Sequence, residues 1–401
     1  MDYLVLTKVH GAILGPISQI LGWILNVLVT FTNSFGVLNI GLSIILFTLV
    51  VKLLMFPMTI KQQKASKLMA VMQPELQAIQ AKYKGKKDND SMMKMNVETK
   101  AVYEKYGTSM TGGCLQLVIQ MPILFALYRV IYCIPAYVMP VKEHFLNVVY
   151  ALTGASSASA LSEGAAANLL QFATDHNIAL TGINPVGDLT GVTGEALANK
   201  MVDILYKLNP AQWSDLAQAF PNAADVISGN AATIEKMNTF LGINLASNPF
   251  NGSFVPNLAW LIPILAGLTQ YASTKLMMAT QPKKNNEEDM SSQMMQSMNV
   301  TMPLMSVFFC FTFPAAIGIY WVASSTFQLL QQLVVNSYLD KVDMDELIRK
   351  NVEKANKKRA KKGLPPQKVN QNATASLKHM QAVQEKEEAE RAEKLEKSKK
   401  Q

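Results

Sequence analysis

Lys52 stands near the end of an otherwise apolar run, "GLSIILFTLVVKLLMFP", residues 41 to 57. A cation in such a run is expensive unless it reaches water or a partner. Residues three or four apart share a helix face, so Thr48 and Lys52 form one polar stripe, Gln116 and Gln120 a second, and Tyr320, Ser324 and Gln328, continued by Gln331, a third. These groups donate and accept hydrogen bonds and carry one positive charge. A common water-filled recess between three helices would satisfy all of them. Each stripe also has a plainer reading. Lys52 lies about 8 Å of helix rise from Pro57 and can snorkel to a membrane surface. Intramembrane glutamines can act as interhelical glue worth about 0.6 kcal/mol, and Tyr320 and Trp321 can serve in a core or an aromatic belt.

The elements that must position these residues are apolar helices. The chain has 401 residues, 49% hydrophobic and 16% charged, and its last sixty are strongly polar, so the apolar residues concentrate elsewhere. Runs long enough to cross a ~30 Å hydrocarbon core occur at 38–57, 114–133 and 258–278. A longer one at 302–335 is broken by "FTFPAAIG" into two short spans, 301–313 and 315–335. A further segment, 11–32, either spans or lies along the interface; it has neither the basic start nor the small-x-small site of a cleaved signal peptide. The pattern predicts an all-α polytopic membrane protein: five core transmembrane helices around a water-filled recess, with an N-terminal spanning or interfacial helix and a helical hairpin that the charge pattern places in the cytoplasm.

Charge sets the orientation. Residues 58–111 carry ten lysines against five acids, and those after 336 carry 17 Lys and Arg against 11 acids, whereas 134–256 carry four lysines and nine acids. Positive flanks stay in the cytoplasm. The expected order is an N-terminal helix (1–35), core span 1 (36–57), a cytoplasmic αα-hairpin (58–111), core span 2 (112–133), an extracytoplasmic, mostly helical insert (134–256), core span 3 (257–278), a cytoplasmic linker (279–300), core spans 4 and 5 (301–336) and a basic cytoplasmic tail (337–401). The three cysteines lie in or beside the spans and read as small buried residues, and the four scattered histidines form no metal-ligand pattern. No metal or cofactor is expected.

In the hairpin, 58–84 places Ala65, Leu68, Met72, Leu76, Ile79 and Tyr83 on one face, and 92–106 places Met95, Thr99, Val102 and Tyr106 on another. Two such faces can bury one another. The region is also rich in methionine, with Met58, Met69, Met72, Met92, Met93 and Met95 here and Met290, Met294, Met295 and Met298 in the linker. Flexible, polarisable Met suits a surface that meets many apolar partners. Leu68, Met69, Met72, Met92 and Met95 are the candidates for capturing one. The tail reads as solvated and basic, able to bind anionic lipid or RNA.

Three stretches, "GLSIILFTLVVKLLMFPMTIKQQKASKLMAVMQPELQAIQAKY", "YEKYGTSMTGGCLQLVIQMPILFALYRVI" and "FPAAIGIYWVASSTFQLLQQLVV", together resemble the YidC family of membrane protein insertases, the bacterial relatives of the mitochondrial and thylakoid insertases. The resemblance covers about 36–133 and 256–336. It makes the recess a cytoplasm-open hydrophilic groove, open also to lipid, with a basic residue, usually arginine, inside it; Lys52 matches that position. It places Gln120 and Tyr320 on the groove or its adjoining slide, with Met121, Leu124 and Trp321 as apolar slide candidates. It also implies an activity that breaks no bond, with nascent membrane proteins and membrane lipids as partners, and the Sec translocon and, through the basic tail, the ribosome as further candidates. The location implied is the bacterial cell membrane, multi-pass, with the C-terminus cytoplasmic. Lysine for arginine loses the planar fork, and the 134–256 insert is longer than is usual between these spans. A channel or transporter would also place polar residues in spans, but should show acidic coupling residues or paired broken helices; an intramembrane protease would need its own catalytic pair.

Overall fold

The computed structural model describes residues 11–86, 88–107, 112–178, 189–250, 252, 255–279, 290–361 and 363, without the side chains of 70, 112–120, 278, 279, 290–299, 344 and 358. The protein is predominantly α-helical. In chain order the helices are α1 (Leu14–Ser34), α2 (Ile40–Leu54), α3 (Phe56–Lys82), α4 (Asn89–Lys105), α5 (Gly112–Tyr132), α6 (Ile134–Tyr137), α7 (Met139–Thr153) and α8 (Ala167–Asp175). They continue as α9 (Gly194–Leu205), α10 (Pro210–Ala219), α11 (Ala224–Asn238), α12 (Leu261–Ala279), α13 (Met290–Thr312), α14 (Ala315–Leu339) and α15 (Met344–Ala360). Two short antiparallel strands, β1 (Thr239–Phe240) and β2 (Ile243–Asn244), pair around Leu241 and Gly242. Both turn residues have positive φ, 50° and 79°, as a tight two-residue hairpin requires.

The chain forms two compact units. The first comprises residues 1–55, 118–275 and 288–330. Within it α1 and α2 form a helical hairpin whose buried stripe on α1 is Gly15, Ser18, Leu21, Gly22, Leu25, Val29 and Thr32. The small members let neighbours approach closely: a Cβ on Gly22 would run into the ring of Tyr137. The insert does not stand apart from these helices. Leu25, Ile44, Phe47 and Leu127 belong to the same hydrophobic core as Phe145, Leu169, Met201 and Leu216 of the insert.

Polar capping strengthens that union. Asn39 caps α2 by accepting from the Leu42 N–H (3.1 Å), and its own amide donates to the Thr239 carbonyl of β1 (2.9 Å). The first N–H groups of α14, orphaned by helix geometry, find insert carbonyls: Ala315 donates to Ser247 (2.9 Å) and Ala316 to Leu245 (3.0 Å). The insert therefore fixes the starts of α2 and α14, the helices that carry Lys52 and Gln328.

The second unit comprises residues 56–117, 276–287 and 331–401. Its core is Leu68, Met72 and Leu76 of α3, Val102 of α4 with Tyr106 just after it, and Ile348 and Val352 of α15. The tail therefore begins as a helix docked on the hairpin. Asp343 starts α15 by accepting from the Asp345 N–H at 2.9 Å. Gly107, at φ +64°, lies so close to α15 that a Cβ would sit 2.5 Å from the Val352 nitrogen.

Among the described residues one helix, α1, is long and apolar enough to cross a membrane alone, and α2 taken together with the start of α3 passes the same test. The chain breaks between them at Met55, with Pro57 in the first turn of α3, where its missing N–H costs nothing.

Candidate functional site

Lys52 occupies the last turn of α2, half-buried, and its Nζ donates to Oε1 of Gln328 on α14 at 3.4 Å. Two of the three stripes thus meet. Thr48 is buried and donates to the Ile44 carbonyl one turn back (2.7 Å), so its hydroxyl is satisfied within its own helix. On α14, Tyr320 and Ser324 are half-buried and hydrogen-bonded to each other. The third stripe, Gln116 and Gln120, falls in the first turns of α5, whose side chains lie outside those described.

Two further polar pairs were not singled out from the sequence. Thr269 of α12 and Ser325 of α14 bring their hydroxyls to 2.6 Å. In the second unit Gln63 of α3 donates to Gln332 of α14 at 2.8 Å, and Gln332 is buried. Both partners of each pair are uncharged and lie far apart in sequence. The one sequence signal was that Gln332 and Ser325 adjoin the named stripe.

The apolar slide candidates lie at different depths. Met121 is 46% exposed, while Leu124 and Trp321 are half-buried. Trp321 stacks beside Phe309 of α13 (6.2 Å), and Phe309 stacks in turn on Phe313, whose ring meets Tyr128 edge-on. Phe125, 54% exposed one turn from Met121, joins them from outside the expected set. The hairpin candidates divide. Leu68 and Met72 are core residues of the second unit and face α4 and α15, Met69 and Met95 are half-buried, and Met92 is exposed with Met93 beside it. A core position is no open capture surface, so in this conformation the exposed methionines among the described residues of the hairpin are Met92 and Met93 of α4. The methionines of the 279–300 linker lie outside the described side chains.

Large apolar side chains elsewhere face outward in rows: Ile20, Trp23, Val27 and Phe31 on α1; Leu261, Ile264, Leu265 and Leu268 on α12; Leu304 and Phe308 on α13. A soluble monomer rarely exposes contiguous apolar surface on this scale. Polar contacts turned inward between helices, with apolar rows turned outward, define an α-helical protein of the membrane class.

The comparisons narrow the class. The family model described as 60Kd inner membrane protein matches residues 30–158 and 216–342, and the chain belongs to that family, the YidC family. It is 27% identical over 307 residues to the membrane protein insertase YidC of Oceanobacillus iheyensis, covering 76% of this chain and 78% of that one. It is 25% identical over 312 residues to the membrane protein insertase MisCA of Bacillus subtilis, covering 78% and 76%. A shorter stretch of 111 residues is 40% identical to a membrane protein insertase YidC 1 of Halalkalibacterium halodurans, covering 28% and 41%.

Proposed function

We propose that this chain is a membrane protein insertase of the bacterial cell membrane. In this reading it moves hydrophobic segments of newly made proteins from the cytoplasm sideways into the bilayer. Family membership supports the activity. The observation that carries the mechanism is the meeting of Lys52 with Gln328, which joins two helices at a polar point inside apolar sequence.

An extracytoplasmic segment of a client must cross hydrocarbon, where each unsatisfied backbone group costs several kcal/mol. In the proposed groove, Lys52, Gln116, Gln120, Tyr320, Ser324 and Gln328 hold water partway across and shorten that path, with Thr48 packed behind them. Lys52 attracts acidic client segments. Met121, Leu124 and Trp321, with Phe125, offer the apolar side along which the client helix leaves, driven by its own transfer into lipid. The chain crosses the membrane at α2, α5, α12, α13 and α14, and α1 crosses too, because it runs alongside α2. The C-terminus lies in the cytoplasm. There Met92 and Met95 meet incoming apolar segments, and the basic tail contacts ribosomes; the Sec translocon is a further partner.

The test is complementation of an insertase-depleted bacterial strain with wild type, Lys52→Arg, Lys52→Ala and Lys52→Glu, scoring insertion of a small client with an acidic extracytoplasmic segment. Wild type and Arg should insert it, and Ala and Glu should fail. Equal insertion by all four would remove Lys52 from the mechanism, and failure of wild type would remove the insertase reading.

A further inference from the structure

The insert holds a cavity of about 470 Å³, bounded by α10, α11, the end of α9 and the turn after β2. That volume is in the range of small-molecule sites. Its aromatic wall is Phe145, Tyr206 and Trp213. Phe145 meets Tyr206 edge-on at 5.7 Å and tilts against Trp213 at 6.1 Å. The wall is fixed rather than fluid. Asn209 and Gln212 form a reciprocal capping box at the start of α10, with Pro210 locking the first turn, and Trp213 follows directly and is 8% exposed. Tyr206 and Trp213 come from residues 159–215, which fall between the two stretches the family model matches. The opposite wall, on α11, falls inside a matched stretch, so the cavity forms where the unmatched segment meets a matched one.

The chemistry of the lining is selective. Apart from the aromatic wall and aliphatic side chains, it carries neutral polar groups and one charged side chain among the described residues, Glu235 of α11. Asn238 lies one turn along the same helix and is buried. Aromatic faces attract cations through their quadrupole. A carboxylate at the mouth adds to that attraction and repels anions. We propose that this cavity binds a small hydrophobic cation, an ammonium group on an apolar body, on the extracytoplasmic side.

The full-length protein in lipid nanodiscs is titrated by calorimetry with 4-phenylbutylammonium, its neutral isostere 4-phenylbutanol, and 4-phenylbutyrate. Wild type should bind the ammonium roughly fivefold more tightly than the alcohol, as expected for one solvent-facing charge pair, and the carboxylate least. Glu235→Gln, a conservative change at an exposed position, should bring the ammonium-to-alcohol ratio to about one. Ala232→Trp, built from an exposed lining position of α11, should fill the cavity and weaken both probes more than tenfold while the thermal midpoint stays within a few degrees. Equal affinity of wild type for the three probes, no saturable binding at millimolar probe, or an unchanged ratio in Glu235→Gln would each overturn the proposal, whatever the folding of the tryptophan variant.

Discussion

Lys52 and Glu75 are both charged residues on helices that bury an apolar face, yet their surroundings differ in kind. The carboxylate of Glu75 receives Lys105 Nζ at 2.8 and 3.0 Å and the Tyr106 hydroxyl at 2.7 Å. These are short, charge-assisted bonds of the strong class. The bond that ties Lys52 to α14 runs to a neutral amide and is 3.4 Å long, near the outer limit of useful geometry. The first arrangement locks the second unit around one packing; in the proposed groove, the longer bond to a neutral amide is the one that water or a passing carboxylate would replace at lower cost. A groove that must admit and release successive segments needs the second kind. A scaffold needs the first.

The largest effect that would sharpen this contrast is expected at Gly107. Its left-handed φ and the 2.5 Å approach to α15 leave no room for a side chain. Gly107→Val adds roughly 1–2 kcal/mol of backbone strain and undocks Ile348 and Val352, each worth about 1.5–3 kcal/mol of burial. The α15 helix should then become the first site of limited proteolysis, at a rate at least tenfold above wild type. Resistance equal to wild type would show that the scaffold is looser than its core suggests.

Asp203 offers an intermediate case, a buried acid on α9 of the insert. Burial raises its pKa from 3.8 to about 7, against the pull of Lys200, Lys207 and Lys142. Because the folded state holds this proton where the unfolded state releases it, stability falls as pH rises from about 4 to about 7 and is level above that. The full excursion is on the order of 4 kcal/mol. Asp203→Asn should flatten the slope and raise the thermal midpoint at pH 8. An unchanged midpoint at pH 8 would mean that the lysines already hold the carboxylate ionised.

Much of this was legible in the sequence. The hairpin expected at 58–84 and 92–106 appears as Phe56–Lys82 and Asn89–Lys105, because a 3.6-residue apolar period and a charged turn are local signals. The break at Pro314 was equally local. The pairing of Lys52 with Gln328 was approachable because each sat in a visible stripe. What stayed hidden depends on distant residues. Nothing near Ile348 and Val352 marks them as partners of Leu68 and Met72, since a short amphipathic stretch inside a basic tail reads as solvated. The insert, composed like a small soluble domain, gave no sign that its carbonyls would cap α14 or that Thr239 would hold Asn39. Uncharged pairs such as Gln63 with Gln332 are hard to find for the same reason: nothing in the sequence of either half alone marks its partner.

The smallest effect is the most discriminating, because the same kind of bond occurs in both units. Gln63 and Gln332 lie 2.8 Å apart, and Gln332 is 4% exposed. In Gln63→Leu the buried acceptor loses a donor, and the second unit should lose about 1–3 kcal/mol, the cost of an unsatisfied buried group. Thr269 and Ser325 lie closer still, at 2.6 Å, which by distance alone would suggest the stronger bond. Each hydroxyl, however, also has a carbonyl of its own helix within bonding distance for its one proton: Leu265 at 2.7 Å from Thr269 and Trp321 at 2.9 Å from Ser325. Thr269→Val leaves Ser325 with that internal partner, and valine keeps the shape of threonine in the α12–α14 contact. The expected loss is therefore only about 0.6 kcal/mol, the average for interhelical hydrogen bonds in membranes. Thermal midpoints of the two variants in one detergent should rank Gln63→Leu well below Thr269→Val. The reverse order would mean that the α12–α14 pair, rather than the scaffold of the second unit, is the tighter joint, and the contrast between a set scaffold and the proposed exchangeable groove would fail.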